Sequence, residues 1–372
     1  MIKETKKILF IIPRLAQGGA ERTVVDQINN LNPDFFDCWL CTLEREQEPS
    51  SWNDVHLPPE KMKQFFFRSF FDFKTWKNLI DWLRQEKFDI IYSNLFVGNT
   101  IGRLAGRLAN IPHLIAVEQN VYINRSYWER LINFCFSFIS DYLVAISQSV
   151  KNYLITKEKI PAVKIRVIYN GVDLEKYRFQ PDARQRLRKE FGLTDNDILV
   201  LSVGRVSKQK GYDILIETAA KLENNIKNRI HFFIAGIKSE KLMIDLEKKI
   251  HEFSPEGKIN FLGPRNDIPE LLSAADIFFM PSCWEGFGLV LVEAMAAEKP
   301  VVVSDIGPLR EILDNGRFGL IGKTTEEFAG LIGDLLQNPK KRSELAMLGR
   351  QRAEEFSLQK NITEITKLFL EQ

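Results

Sequence analysis

Short, continuous apolar runs alternate with helix-length amphipathic segments almost from one end of the chain to the other. In the first half the runs are KILFII (7–12), CWLCTL (38–43), FDIIYS (88–93), HLIAV (113–117), YLVAIS (142–147) and IRVIYN (165–170). In the second half they are ILVLSVG (198–204), IHFFIAG (230–236), KINFLG (258–263), DIFFM (276–280) and PVVVS (300–304). A strand that is apolar at every position is covered on both faces, so runs of this kind spaced by helices predict parallel sheets of α/β architecture. Between residues 170 and 197 the pattern pauses in a polar stretch, NGVDLEKYRFQPDARQRLRKEFGLTDND, and then restarts with the most hydrophobic strand of the chain. The pause predicts two α/β domains, 1–180 and 181–356, with a cleft between them into which the carboxyl ends of both sheets open.

Length agrees with this division, since 372 residues exceed one core of typical size. Composition is that of a soluble globular protein, 45% hydrophobic and 27% charged. The 51 basic residues against 49 acidic give no field that would attract nucleic acid, and no zinc-finger spacing is present. The start, MIKETKKILFIIPRL, places Lys3, Lys6 and Lys7 before an apolar run, but Pro13 and Arg14 end that run too early for a secretory core. A first buried strand is expected there. The nearest approach to a membrane span, LINFCFSFISDYLVAIS (131–147), is broken by Asn133, Ser137, Ser140 and Asp141. The expectation is a cytoplasmic chain. Cys38 and Cys41 have the spacing of a redox pair, yet they lie in a strand, where positions three apart point to opposite faces.

Ligands of open parallel sheets sit beyond the carboxyl ends of the strands, so the segments that follow each strand carry the candidate chemistry. After the first strand, Gly18 and Gly19 lead at once into a helix, an entry that either brings backbone N–H groups to a phosphate or is a plain helix start. After the first strand of the second half, Gly204 is followed by Arg205 and Lys210, with a helix opening near Gly211. Two cations and a helix N-terminus suit a diphosphate; solvated loop cations are the other reading. In PSCWEGFGLVLVEAM, Glu285 lies in the loop after the strand DIFFM, and Glu293 in the second turn of the next helix. Carboxylates placed in this way can accept hydrogen bonds from the hydroxyls of one extended ligand, a ribose at one and a sugar at the other.

E-x7-E after a strand, the Arg and Lys of GRVSKQKG, the GGAER of the first loop, VIYNGVD at the linker and PSCWEGFGLVLVEAMAAEKPVVVSD together resemble the E-x7-E retaining glycosyltransferases of the GT-B fold. The resemblance runs over nearly the whole chain. It implies two Rossmann-like domains facing a cleft, with a nucleotide-sugar donor on the second and a glycan or lipid-linked glycan acceptor on the first. It implies that Glu285 faces the donor sugar, with Gly286, Phe287, Gly288 and Leu289 beside it, and that Glu293 holds the ribose. Arg205 and Lys210, next to Gly204, would bind the diphosphate, Gly18 and Gly19 would close over it, and Pro264 and Arg265 would pass near the base. The last helix, about 357–372, would cross back onto the first domain.

The chain departs from the family's pattern in two places. Where the family commonly has a His after the strand corresponding to HLIAV, this chain reads AVEQN, which puts Gln119 in that place, with Glu118 and Asn120 on either side. A glutamine hydrogen-bonds a sugar hydroxyl without ever becoming charged, and Glu118 becomes a candidate base for the acceptor. In AMAAEKPVV, Glu298 stands where the family usually has Gly.

A metal-dependent transferase would want D-x-D, which TDND supplies, but Asp195 and Asp197 precede a strand and read as turn residues, so neither metal nor cofactor is expected. GRFGLIGKT (316–324) lacks the first P-loop glycine, having Arg317 in its place. A sugar-nucleotide epimerase and a catalytically silent nucleotide-sugar binder remain as alternatives. Residues 61–84, KMKQFFFRSFFDFKTWKNLIDWLR, interleave basic and aromatic side chains, which would suit either a peripheral contact with the inner face of a membrane or a strand, loop and helix whose aromatics are core.

Overall fold

The structure, a computed structural model, describes residues 5–45, 50–121, 125–223, 230–237, 240–253 and 258–372; Lys3 lies outside them. Two compact units divide the chain, one running to Gly171 and including Leu358–Gln372, the other spanning Val172–Ser357.

The first unit is built on β1 (Lys6–Ile12), β2 (Phe36–Thr42), β3 (Met62–Gln64), β4 (Ile90–Asn94), β5 (His113–Glu118), β6 (Tyr142–Ala145) and β7 (Ile165–Val167). They form one sheet of order β3-β2-β1-β4-β5-β6-β7, and every pairing is parallel. Its helices are α1 (Gly19–Asn30), α2 (Phe73–Glu86), α3 (Leu95–Ala109), α4 (Tyr127–Ser137) and α5 (Gln148–Thr156). Strand order steps one way from β1 to β3 and the other way from β3 through β7. Right-handed crossovers therefore put α2 to α5 on one face and α1 on the other. Leu9, Ile11, Leu79, Phe88, Ile91 and Leu114 are buried between the sheet and the helices, each contributing about 1.5–3 kcal/mol of apolar transfer.

The second unit opens with α6 (Pro181–Glu190) and continues β8 (Ile198–Val203), α7 (Tyr212–Glu223), β9 (Ile230–Ala235), α8 (Glu240–Phe253), β10 (Ile259–Gly263), α9 (Ile268–Ala274) and β11 (Ile277–Met280). It ends with α10 (Leu289–Ala296), β12 (Val301–Ser304), α11 (Gly307–Ile312), β13 (Leu320–Gly322), α12 (Thr325–Gln337) and α13 (Pro339–Ala353). Its parallel sheet has the order β10-β9-β8-β11-β12-β13, so strand order reverses between β8 and β11. The final helix, α14 (Leu358–Leu370), lies with the first unit, where Phe369 packs edge-on against Phe10 and Tyr92 and Lys6 donates to its carbonyl.

The apolar runs read from the sequence are strands; β3, with α2 after it, is the strand, loop and helix that one reading of residues 61–84 offered, and β13 is an addition. Both are three-residue edge strands with a single partner, too short to leave a run of their own. The polar pause also contains more order than a linker. Arg184 and Arg188 of α6 cap the last carbonyls of α9 and share the carboxylate of Asp276, fixing α6 to the second sheet. Lys299 joins this cationic cluster, donating to the Ser273 carbonyl at 3.3 Å above the Phe179 ring. Cys38 and Cys41 are both buried free thiols. Asp197 is a turn residue, accepting from Thr194 ahead of β8. Among the described residues no helix is long and apolar enough to cross a membrane.

Candidate active site

In the second unit the point where strand order reverses lies between β8 and β11, and the loops leaving their carboxyl ends meet there. Gly211 makes the approach possible. It has φ 62°, and a Cβ on it would lie 2.1 Å from the Pro281 carbonyl oxygen. Cys283 N–H donates to the Gln209 carbonyl at 2.7 Å, and Gln209 Nε2 donates to the Trp284 carbonyl at 3.0 Å. These ties bring Lys210 Nζ to 2.6 Å from Glu285 Oε1. The same oxygen accepts from Ser282 Oγ at 2.9 Å, and Oε2 accepts from Gln209 Nε2 at 3.3 Å. Glu285 is buried, and its carboxylate is met by one cation and two neutral donors. Burial, together with the charge of Glu285, pushes the nearby Tyr212 phenol up, so its hydroxyl stays protonated and donates to the Gly204 carbonyl at 2.8 Å.

Arg205 follows Gly204 at the rim, exposed and without an ion pair among the described residues. Gly288 is the N-cap of α10 at φ 114°, where a Cβ would press on Leu309. Gly286 and Phe287 are buried, Phe287 packing edge-on against Phe356 at 5.5 Å, while Leu289 is half-buried. Glu293 occupies the second turn of α10, half-buried, with the carboxylate of Glu285 in the preceding loop. Pro264 is exposed. The Arg265 guanidinium is clasped by Asp267 at 2.7 and 2.5 Å, with Glu190 at 3.6 Å, so its charge is already answered within the unit. Glu298 has φ 58° just past α10: its N–H donates to the Met295 carbonyl and that of Lys299 to Ala294, the paired bonds of a helix end that favours glycine.

In the first unit Gly18 caps α1 in extended backbone and Gly19 begins the helix. The Glu21 carboxylate folds over Gly18, where a Cβ would lie 2.4 Å from it, so this helix start faces an anion of its own. Across the sheet, strand order reverses between β1 and β4, and Leu95, entering α3, is held at φ 64°, a conformation costly for a branched side chain.

Gln119, directly after β5, donates to Asn94 Oδ1 at 3.1 Å and accepts from Asn170 Nδ2 at 3.2 Å. All three amides are buried at the carboxyl ends of β4, β5 and β7. Asn120 is half-buried, and its Oδ1 accepts no hydrogen bond among the described residues.

Glu118, by contrast, points into the unit and is fully buried. Its Oε2 takes Arg125 at 3.1 Å; its Oε1 takes Asn99 at 3.2 Å and Asn133 at 3.1 Å. Arg125 also binds Glu158 at 2.6 Å, and Asn133 joins Glu158 to Arg103, another fully buried guanidinium. Burial pushes Glu158 up and pulls Arg103 down to about 10. Both carboxylate oxygens of Glu118 are thus engaged inside the unit, away from solvent, which gives it a structural role in place of the base role read from the sequence. Arg103, Arg125, Asn133 and Glu158 were not read from the sequence as a cluster. The one signal was Asn133, a polar residue inside the apolar stretch LINFCF.

Two family models divide the chain: Glycosyltransferase Family 4 matches residues 17–176, and Glycosyl transferases group 1 matches residues 183–352. Over 245 residues the chain is 31% identical to UDP-Gal:alpha-D-GlcNAc-diphosphoundecaprenol alpha-1,3-galactosyltransferase of Escherichia coli, covering 63% of this chain and 62% of that protein. Over 311 residues it is 28% identical to N,N'-diacetylbacillosaminyl-diphospho-undecaprenol alpha-1,3-N-acetylgalactosaminyltransferase of Campylobacter jejuni, covering 78% of this chain and 76% of that one. The chain thus spans about three fifths of the length of the first of these relatives. Among solved structures, HepE of Anabaena in complex with UDP and glucose superposes with a TM-score of 0.88 at 23% identity, over 99% of this chain and 100% of that one. The two parallel-sheet units have the GT-B fold, and the matches support the GT-B glycosyltransferase family.

Proposed function

From a chain of GT-B fold carrying group 1 and family 4 glycosyltransferase matches, we propose a retaining, metal-independent glycosyltransferase that moves a sugar from a nucleotide-sugar donor to a glycan or lipid-linked glycan acceptor. Its setting is the biosynthesis of cell-surface polysaccharide or glycoconjugate. The observation that carries this reading is the Lys210–Glu285 pair, held at 2.6 Å where strand order reverses in the second unit. The two relatives add to it, since their names give lipid diphosphates as acceptors and, in one, UDP-Gal as donor.

In this reading Arg205 and Lys210 neutralise the leaving diphosphate, and Glu285, released from part of its contact with Lys210, receives hydroxyls of the donor sugar. Glu293 takes the ribose hydroxyls, and Gly286, Gly288 and Leu289 shape the pocket wall. The bond from the anomeric carbon to the diphosphate oxygen breaks, the acceptor oxygen bonds to that carbon from the same face, and the acceptor proton passes to the departing diphosphate. Gln119 orients a hydroxyl as a neutral group, its carboxamide set by Asn94 and Asn170. Gly18 and Gly19 approach the diphosphate once Glu21 swings aside.

Thermal-shift screening of UDP-, GDP- and dTDP-sugars identifies the donor; transfer to a polyprenyl-diphosphate glycan, with the product's anomeric configuration read by NMR, tests the reaction. Glu293→Ala is expected to weaken donor binding about tenfold, and Glu285→Ala to lower chiefly turnover. The opposite pattern overturns the assignment of the two glutamates. Stabilisation by a nucleotide sugar with no transfer or hydrolysis would identify a silent binder, and consumption of donor without acceptor would point to an epimerase.

A further inference from the structure

The loops that clasp Lys210 and Glu285 have a second side. In the second sheet, strand order runs from β8 through β9 to β10 in one direction and from β11 through β12 to β13 in the other. Right-handed crossovers therefore place α7 and α8 on one face and α10 on the opposite face. On the α7 and α8 side, the same two loops border a cavity of about 440 Å3, a volume within the range of small-molecule sites.

Val206, Tyr212 and Leu246 are buried and give the cavity an apolar floor, with Trp284 half-buried at its side. Four charged side chains complete the lining. Lys249 is already paired with Glu217 at 2.9 Å. Lys208, Asp213 and Asp245 are exposed at the mouth and form no ion pair, with each other or elsewhere, among the described residues. Burial, and after it the Asp213 carboxylate, push the Cys283 thiol up, so Asp213 and Cys283 share one side of the mouth. An apolar body on the floor thus meets one open cation and two open carboxylates. A ligand carrying charge of a single sign would bring one of them against its like, whereas a ligand carrying both signs answers all three.

We propose that this cavity is a second ligand site of the unit, for a small zwitterion with an apolar side chain, the chemistry of an apolar α-amino acid. The side chain fills the apolar floor, the carboxylate meets Lys208, and the ammonium meets Asp213 and Asp245. The occupant touches the outer side of the turn whose inner side holds Glu285. There Cys283 N–H donates to the Gln209 carbonyl, and Gln209 Nε2 reaches both the Trp284 carbonyl and Glu285 Oε2. Binding uses none of the groups assigned to sugar transfer; only the influence of an occupant on Glu285 rests on the transferase reading.

The test follows N-ethylmaleimide labelling of Cys283 in the full chain by peptide mass spectrometry, with the exposed Cys135 as internal control. L-phenylalanine, L-leucine and L-tryptophan are titrated, and for each one that protects, so are its analogues without the carboxylate or without the amine, which for phenylalanine are phenethylamine and phenylpropionate. Saturable protection of Cys283 is expected from at least one amino acid while Cys135 keeps its own rate, with each analogue weaker by about tenfold or more. Lys208→Gln and Asp213→Asn/Asp245→Asn are each expected to raise the half-protecting concentration about tenfold. Melting temperatures should stay level, because these three side chains are exposed. No protection by any of the three amino acids, equal protection by an analogue, or unchanged protection in both variants overturns the proposal. No nucleotide sugar is present in the assay, so its failure leaves the transferase reading standing, and a failed transfer reaction leaves this site standing.

Discussion

Two glutamates at the carboxyl ends of strands, Glu285 in the second unit and Glu118 in the first, are each paired with a cation, yet they are built for different ends. Glu285 meets the ammonium of Lys210, a side chain on a flexible stem at the accessible rim of a loop. Glu118 meets the planar guanidinium of Arg125 within a closed set of amides and a second carboxylate, with pair members only 2% and 0% exposed. A lysine that neighbours both a carboxylate and open solvent can exchange part of that contact for a ligand's phosphate. A sealed guanidinium cannot, because withdrawing it would leave two carboxylates uncompensated in a medium of low dielectric. What separates an acid that can meet a ligand from an acid that holds a fold is access, not sequence position.

Breaking the sealed pair should have the largest effect on the fold. Arg125→Met strands Glu118 and Glu158 and is expected to cost about 3–5 kcal/mol in urea denaturation; a loss under about 1 kcal/mol would mean the cluster relaxes into water. Breaking the open pair should spare the fold and strike the reaction. Glu285→Gln is expected to leave the denaturation midpoint near that of the parent while kcat for transfer falls by about a hundredfold or more.

Lys299 sharpens the comparison from the side of a cation with no carboxylate in contact among the described residues. Burial, foremost, and the nearby Arg184 lower its amine from 10.5 to about 8. Between those two pH values the unfolded chain binds more protons than the folded one, so the contribution of Lys299 to stability rises with pH across that window. Lys299→Met should therefore be more stable than the parent at pH 7, by on the order of 2 kcal/mol, with the gap closing toward pH 10. A gap that is the same in melts at pH 7 and pH 10 would contradict this. The smallest expected effect is at Glu298, whose φ of 58° is unfavourable for any residue with a Cβ. Glu298→Gly should stabilise the chain by about 0.5–1 kcal/mol, read as a higher thermal midpoint.

Much of the fold was legible because buried parallel strands leave unbroken apolar runs, and the loops after them mark the carboxyl edge without any coordinates. The strand β13 was not, since three residues at a sheet edge carry no periodicity, and β3 was legible only as one of two readings of residues 61–84. The E-x7-E stretch, Arg205 and Lys210 stood out as chemistry. The tie of Lys210 to Glu285, supported by Gln209, Ser282 and Gly211, did not, because it joins loops about 75 positions apart. The departure at Glu298 was visible as an oddity, and the structure gives its meaning as a helix end in left-handed backbone.

The sequence by itself determined the two α/β units, the strands that form their sheets and the loops in which polar side chains gather, all of which follow from local periodicity and chain order. Only the tertiary structure decided which of those side chains face solvent. Glu118 and Glu285 look equally available in the sequence, and Asn133 looks like a flaw in an apolar helix whose aromatic face should be core. Burial depends on which neighbours the fold brings from dozens of residues away, and that information is carried by no short stretch of the chain.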